Sequence, residues 1–196
     1  DKIEKDDSNW NFPQVEKMRF LWTPRWCTNE GNCHFFKYKD FLFKYMKEHD
    51  VDFIFRPHPQ AFLNWKAEKL LTENEIQSIQ NMFDSTPNMK IDKRGDYLRT
   101  FYSSSCLVTD ISGIIPEYFL TGKPIIYCYS KDSYNDFIKG KGYTAGFYWV
   151  ENETELKNAL DMIMRGEDPL KEKREELIKS EFFPPNEDAG NLIKEE

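Results

Sequence analysis

The stretch CLVTDISGIIPEYFLTGKPIIYC, Cys106 to Cys128, decides the fold. Leu107-Val-Thr109 reads as a buried strand that breaks at a short corner, Asp110-Ile-Ser-Gly113. A helical segment follows to about Thr121, and Gly122 stops it as a C-terminal glycine does. Pro124-Ile-Ile-Tyr127 then resumes as a strand. The corner also carries chemistry, because Glu117 stands about one turn into the segment that follows it.

The same alternation extends in both directions. Met18–Trp22, Val51–Phe55, Met89–Asp92 and Phe147–Val150 read as further strands. Phe35 to His49 has helical periodicity, with Phe35, Phe36, Tyr38, Phe41, Leu42, Tyr45 and Met46 on one broad apolar face. Thr72 and Glu75 form a capping box, which predicts a helix from there to about Phe83. Tyr97–Ser103 reads as a short helix, Asn152 and Glu155 open one to about Arg165, and Lys171–Ser180 forms a charged one. The last ten residues are expected to begin another. Residues 1–17 are polar and read as a linker or frayed end, and 18–196 as one domain. The strands are short continuous apolar runs separated by helices. That pattern predicts an α/β domain whose mainly parallel sheet is covered on both faces.

Composition narrows the function. The 196 residues are 39% hydrophobic, 16% aromatic and 31% charged, which allows a sizeable core and a charged surface. A formal net charge of -7 argues against general nucleic-acid affinity, which needs a basic footprint. No apolar run approaches the roughly 20 residues of a spanning helix, and the chain opens on Asp-Lys-Ile-Glu-Lys-Asp-Asp rather than a signal-peptide pattern. Cys106 and Cys128 bound apolar strands and read as buried thiols, so a reducing compartment is expected. Cys27, Cys33 and His34 lie close together, but a metal site needs a fourth ligand and more usual spacing; loop thiols are the simpler reading.

In a parallel sheet ligands bind beyond the carboxyl ends of the strands. Three places qualify. Arg56-Pro57-His58-Pro59 follows the second strand, and its prolines stiffen the turn. Arg56 offers a planar fork for phosphate oxygens, and His58 can donate to phosphate or carry a proton. Ser112 and Gly113 follow the fourth strand, where free main-chain N–H groups and a hydroxyl suit an anion. Glu117 would repel that anion but suits the two hydroxyls of a ribose, so the corner reads as a nucleoside diphosphate site. An ordinary N-cap with a dipole-favoured Glu is the plainer alternative. Thr23-Pro24-Arg25-Trp26 follows the first strand and adds Arg25 as a further cation, or is simply a turn with a packed Trp. Lys139-Gly-Lys-Gly-Tyr-Thr144 lacks the Walker pattern and reads as a solvated loop. His49 reads as a helix-end residue. Lys37, Lys39, Lys44 and Lys47 read as the solvated edge of a core helix, with contact to an anionic membrane as the alternative.

From Met18 onward, "TPRW", "RPHP", "LVTDISGIIPEYFLTGKPIIY", "DSYNDF" and "NEDAGNLIKE" come in an order that resembles the C-terminal half of CDP-glycerol glycerophosphotransferases of the teichoic-acid type. The resemblance implies a Rossmann-like three-layer domain, one half of a GT-B fold, with the N-terminal half and the general base outside this chain. It implies a CDP-glycerol or similar nucleotide-diphosphate donor, a lipid-linked or polymeric acceptor, and no cofactor. The cellular position it implies is cytoplasmic, peripheral on the inner face of the membrane. It places His58, as the catalytic residue, and Arg56 near the donor diphosphate. Asp110, Ser112 and Gly113 match a run that faces the phosphates, and Glu117 matches an acidic position. The same corner is similar to that of UDP-N-acetylglucosamine 2-epimerases, where the Glu holds ribose. Gly113 stands where the family has a second Ser, and Pro24-Arg25-Trp26-Cys27 replaces its Pro-Thr-x-Arg. A sugar transferase or epimerase using a UDP- or CDP-sugar, and a non-catalytic nucleotide-binding domain, remain the other readings.

Overall fold

The computed structural model describes residues 17–28, 33–130 and 139–182. The expected linker up to residue 16, the DSYNDF and NEDAGNLIKE motifs and the expected closing helix lie outside the described residues. Six strands, β1 (Arg19–Thr23), β2 (Asp52–Phe55), β3 (Met89–Ile91), β4 (Cys106–Thr109), β5 (Ile125–Cys128) and β6 (Tyr148–Val150), make one sheet. Its order is β3-β2-β1-β4-β5-β6, and every pairing is parallel. The helices between them are α1 (Phe35–Glu48), α2 (Ala61–Ala67), α3 (Glu73–Ser85), α4 (Leu98–Ser103), α5 (Ile115–Phe119), α6 (Glu153–Met164) and α7 (Lys171–Leu177). A 3-10 turn covers Gly142–Gly146.

The strand period of two sorts the core into two layers. Phe20 and Trp22, Phe53 and Phe55, and Cys106 and Val108 face the side that α1, α3 and α6 cover. Leu21, Ile54 and Leu107 face the side of α4, α5 and α7. Trp22 stacks on Phe35 at 5.5 Å, and Phe35 on Trp65 at 4.2 Å, so one column of rings joins β1, α1 and α2. Burying both faces explains why the strands read as unbroken apolar runs. Both expected capping residues are in place: Thr72 accepts from the Glu75 N–H and Asn152 from the Glu155 N–H. Gly122 adopts φ 72° where the chain leaves α5, as expected of a helix stop. His49 donates from Nδ1 to the Tyr45 carbonyl at 2.7 Å and closes α1. Helix α2, unforeseen in the sequence, follows directly from the Arg56–Pro59 turn.

A buried arginine fastens α7. Arg174 is fully buried; its guanidinium donates to the Asp168 carboxylate and to the Gly122 carbonyl. Its stem leaves no room at Gly146, where an added Cβ would meet Arg174 Cγ at 2.6 Å and Phe119 Cε2 at 2.9 Å. Gly146→Ala should therefore lower the free energy of unfolding in urea by about 1–3 kcal/mol through overpacking. Gly113→Ala, at a position with nothing within 4 Å of the added carbon, should change it by less than about 0.5 kcal/mol.

Candidate functional site

Strands β1 and β4 are neighbours, yet the chain leaves β1 toward β2 and β3 on one side and returns to β4 on the other. The loops therefore diverge above the carboxyl ends of these two strands, which opens a crevice at that point. A cleft of about 410 Å³ occupies it, with walls from all four loops that follow β1, β2, β3 and β4. Thr23, Arg56, His58, Arg94, Tyr97 and Ser112 are among its lining residues.

The Arg56–Pro59 turn is held at both ends. The Arg56 N–H donates to the Trp22 carbonyl at 2.8 Å, and the His58 carbonyl accepts from the Ala61 N–H at 2.8 Å as α2 begins. The Arg56 guanidinium donates from Nη1 to Asp92 Oδ2 at 2.7 Å and from Nη2 to the Arg94 carbonyl at 2.6 Å. It also lies 5.7 Å from the centre of the Tyr97 ring. The His58 ring is exposed at the cleft and stacks on Trp26 at 5.5 Å. Trp26 is fixed in turn, because its carbonyl accepts from Trp65 Nε1 at 2.8 Å. His58 Nδ1 accepts the Gln60 N–H at 3.2 Å, which leaves the proton of the neutral ring on Nε2. Desolvation, and then the positive charge of Arg25, push the His58 pKa below the usual histidine range. Near pH 7 His58 is thus a neutral donor with its N–H free to meet a phosphate oxygen.

The corner after β4 differs from expectation in three respects. First, α5 has only five residues and begins at Ile115, so its dipole is that of little more than one turn. Ser112 prepares that start: its carbonyl accepts from the Ile115 N–H at 3.3 Å and its Oγ from the Ile114 N–H at 3.5 Å. Second, Gly113 is exposed and an added Cβ would meet no protein atom within 4 Å, so packing within the protein does not demand glycine there. Third, Asp110, expected on the phosphates, turns inward. It is 1% exposed, and its oxygens accept the N–H groups of Arg25 at 2.6 Å and His34 at 2.8 Å. Burial raises its pKa, against the opposing pull of His34 and the two amides.

Of the expected site residues, Arg56, His58 and Ser112 meet in the cleft. Arg25, Asp110, Gly113 and Glu117 do not line it. Glu117 is exposed and hydrogen-bonded to the Tyr97 phenol, whose pKa that bond raises. No site role was expected of Asp92, Arg94 or Tyr97; Asp92 and Tyr97 read only as the ends of a strand and a helix. Their signal was a Asp-Lys-Arg triplet directly after the third strand, a position the carboxyl-end rule also covers. Lys139 pairs instead with Glu151 at 2.7 Å and sits 3.9 Å from the centre of the Tyr129 ring. Cys27, Cys33, Cys106 and Cys128 are free thiols, burial pushes Cys33 up to about 12, and no metal-holding cluster occurs among the described residues.

Comparison with known proteins agrees with this fold. Among solved structures, the wall teichoic acid polymerase TagF is similar at 20% identity and TM-score 0.55, over 88% of this chain and 40% of that one. UDP-GlcNAc 2-epimerase from Neisseria meningitidis, bound to UDP-GlcNAc, is similar at 17% identity and TM-score 0.54, over 81% of this chain and 40% of that one. The glycosyltransferase SnogD from Streptomyces nogalater gives 16% identity and TM-score 0.54, over 94% and 45%. The fold is thus the Rossmann-like, GT-B kind, and the chain spans less than half the length of these proteins. No curated protein sequence matches it.

Two measurements probe the site. In an NMR titration, His58 should titrate below the usual histidine range, and Arg25→Ala should move it part of the way back; an ordinary midpoint would remove the desolvated, Arg25-facing geometry. Asp110→Asn leaves one carbonyl oxygen for two main-chain donors, and should cost about 1–3 kcal/mol in denaturant unfolding.

Residues 6–189 match the family described as CDP-Glycerol:Poly(glycerophosphate) glycerophosphotransferase, and the chain belongs to that family.

Proposed function

From this membership we infer that the chain is the donor-binding domain of a transferase acting on a CDP-linked donor. The group moved is glycerol phosphate or a similar alditol phosphate. The acceptor is a hydroxyl of a cell-surface polymer or its lipid-linked precursor. The observation that carries the reading is the convergence of the neutral His58 Nε2–H, the Arg56 guanidinium and Ser112 in one cleft at the switch point of the sheet. A further structure of TagF, described as soaked with CDPG, supports the choice of donor.

In this reading the acceptor oxygen attacks the β-phosphorus of the donor. The bond from that phosphorus to the bridging oxygen breaks, and CMP leaves with the bonding electrons. The acceptor proton passes to a base in an opposing domain of the protein. His58 donates from Nε2 to a diphosphate oxygen and helps carry the charge that builds on it. Arg56 and the Ser112 corner bear on the same oxygens, and Glu117, which stands outside the cleft lining but is bonded to Tyr97 of its wall, receives the ribose hydroxyls where the nucleoside leaves the cleft. Catalysis of this type rests on positioning and charge stabilisation. No described helix is long and apolar enough to cross a membrane. We place the protein on the cytoplasmic face, held at the membrane by its acceptor.

Thermal unfolding with CDP-glycerol, CDP, CMP, UDP, UDP-sugars and ADP tests the donor. A ligand at about 100 times its Kd adds roughly 2.7 kcal/mol to stability. Selective stabilisation by CDP compounds, lost in His58→Ala and weakened in Glu117→Ala, is expected. In a CMP-release assay of the full-length protein, His58→Ala should lower kcat by about a hundredfold or more. Preference for UDP-sugars would replace this reading with a sugar transferase or epimerase.

A further inference from the structure

Arg56 reaches the cleft already engaged. Its neighbour there is Asp92, the first residue after β3, whose own side chain is 2% exposed. Four donors converge on that carboxylate: Arg56 Nη1 at 2.7 Å, Arg94 Nε at 3.1 Å, the Arg94 N–H at 3.1 Å and Thr100 Oγ1 at 3.3 Å. The Arg94 carbonyl accepts Arg56 Nη2, so the two arginines are bound to each other as well as to Asp92. The Arg94 side chain is 47% exposed and lines the cleft, and its Nη groups have no protein partner among the described residues. Lys93, beside it, lines the same cleft. Two guanidiniums against one carboxylate leave a net positive charge where a wall of the cleft meets solvent.

We propose that Arg94 is a direct ligand of the diphosphate and that Asp92 is the positioning residue that presents Arg94 and Arg56 to it as a pair. The proposal rests on reading the cleft as a nucleoside diphosphate site. Two adjacent guanidiniums repel each other and would disperse into solvent if nothing held them. A buried carboxylate between them fixes both forks on folding, so little rotamer freedom is left to lose when the anion arrives. A planar fork with both Nη groups outward suits adjacent phosphate oxygens. A plain structural ion pair would place the same charges together but would leave anion binding indifferent to Asp92.

The sign of one substitution separates these accounts. Asp92→Asn makes the cleft more positive by one charge. If Asp92 acts only through its charge, inorganic pyrophosphate binds more tightly to the variant. If Asp92 positions the arginines, pyrophosphate binds more weakly despite the added charge. Calorimetric titration of the protein with inorganic pyrophosphate, CDP and cytidine reads the difference. Arg94→Ala, at an exposed side chain that should fold normally, is expected to weaken pyrophosphate and CDP by about tenfold each and to leave cytidine unchanged. Arg94→Lys should restore only part of that loss. Asp92→Asn should weaken pyrophosphate, and should do so much less in the Arg94→Ala background. Should Asp92→Asn not fold, the two Arg94 variants decide alone. Tighter or unchanged pyrophosphate binding in Asp92→Asn overturns the positioning role. Loss of CDP but not pyrophosphate in Arg94→Ala puts Arg94 on the nucleoside and overturns the clamp. A full-length wild-type protein that binds pyrophosphate through Arg94 yet transfers nothing from CDP-glycerol sinks the proposed reaction and keeps the clamp; full transfer by full-length Arg94→Ala does the reverse.

Discussion

A carboxylate almost sealed from water, Asp110, sets the geometry above the sheet. Burying an ionised carboxylate is costly unless hydrogen bonds meet it. Here the main-chain N–H groups of Arg25 and His34 do so. One of these amides lies in the loop after β1 and the other at the threshold of α1. Asp110 itself follows β4, so both ends of the β1–α1 connection are tied to a residue more than 70 positions away in sequence, at the switch point. His34 extends the tie to the end of β5, since its Nε2 lies 2.8 Å from Ser130 Oγ. Once the loop after β1 is fixed, the position of Trp26 follows, and with it the His58 ring that stacks on it. The cleft is therefore shaped by a residue that does not line it.

How much of this could be read in the sequence depended on which physics wrote the signal. The sheet was legible because strands buried on both faces must be apolar without interruption, as Phe20-Leu-Trp22 and Phe53-Ile-Phe55 are. The helices at Thr72 and Asn152 were legible because a capping side chain is a local event. Helix α2 was not, because its seven residues bury only Ala61 and Trp65, too few to show a period. Its role is tertiary: Trp65 fills the ring column and holds the Trp26 carbonyl.

The site divided along the same line. Residues whose position follows from the backbone, such as Arg56 and His58 in a turn stiffened by two prolines, were placed on the cleft by the strand-end rule. Residues whose role depends on side-chain direction were not. Asp110 and Asp92 both follow a strand and are both buried, yet one serves main-chain amides and the other two guanidiniums. Composition cannot tell these apart, since an acidic residue after a strand looks the same in either case. Gly113 is a related case: the space beside it is open within the protein, so whether glycine matters there depends on a ligand rather than on packing.

The division of labour in the cleft follows from the shortness of α5. In many nucleotide sites a long helix directs its N-terminus at the phosphates, and the aligned peptide dipoles carry much of the charge. Five residues supply little of that field. Pro116 also removes one of the first N–H groups from the count. An anion held here must then draw its counter-charge from side chains, and the loops after β2 and β3 supply it through Arg56, Lys93 and Arg94. They do so on a chain whose formal net charge is -7, so the cations are concentrated against an acidic body. Such a contrast focuses the field on the cleft and repels anions elsewhere on the surface. Neutral His58 fits that scheme, because a donor without charge can stand among cations at no electrostatic cost, and desolvation, then Arg25, keep it so.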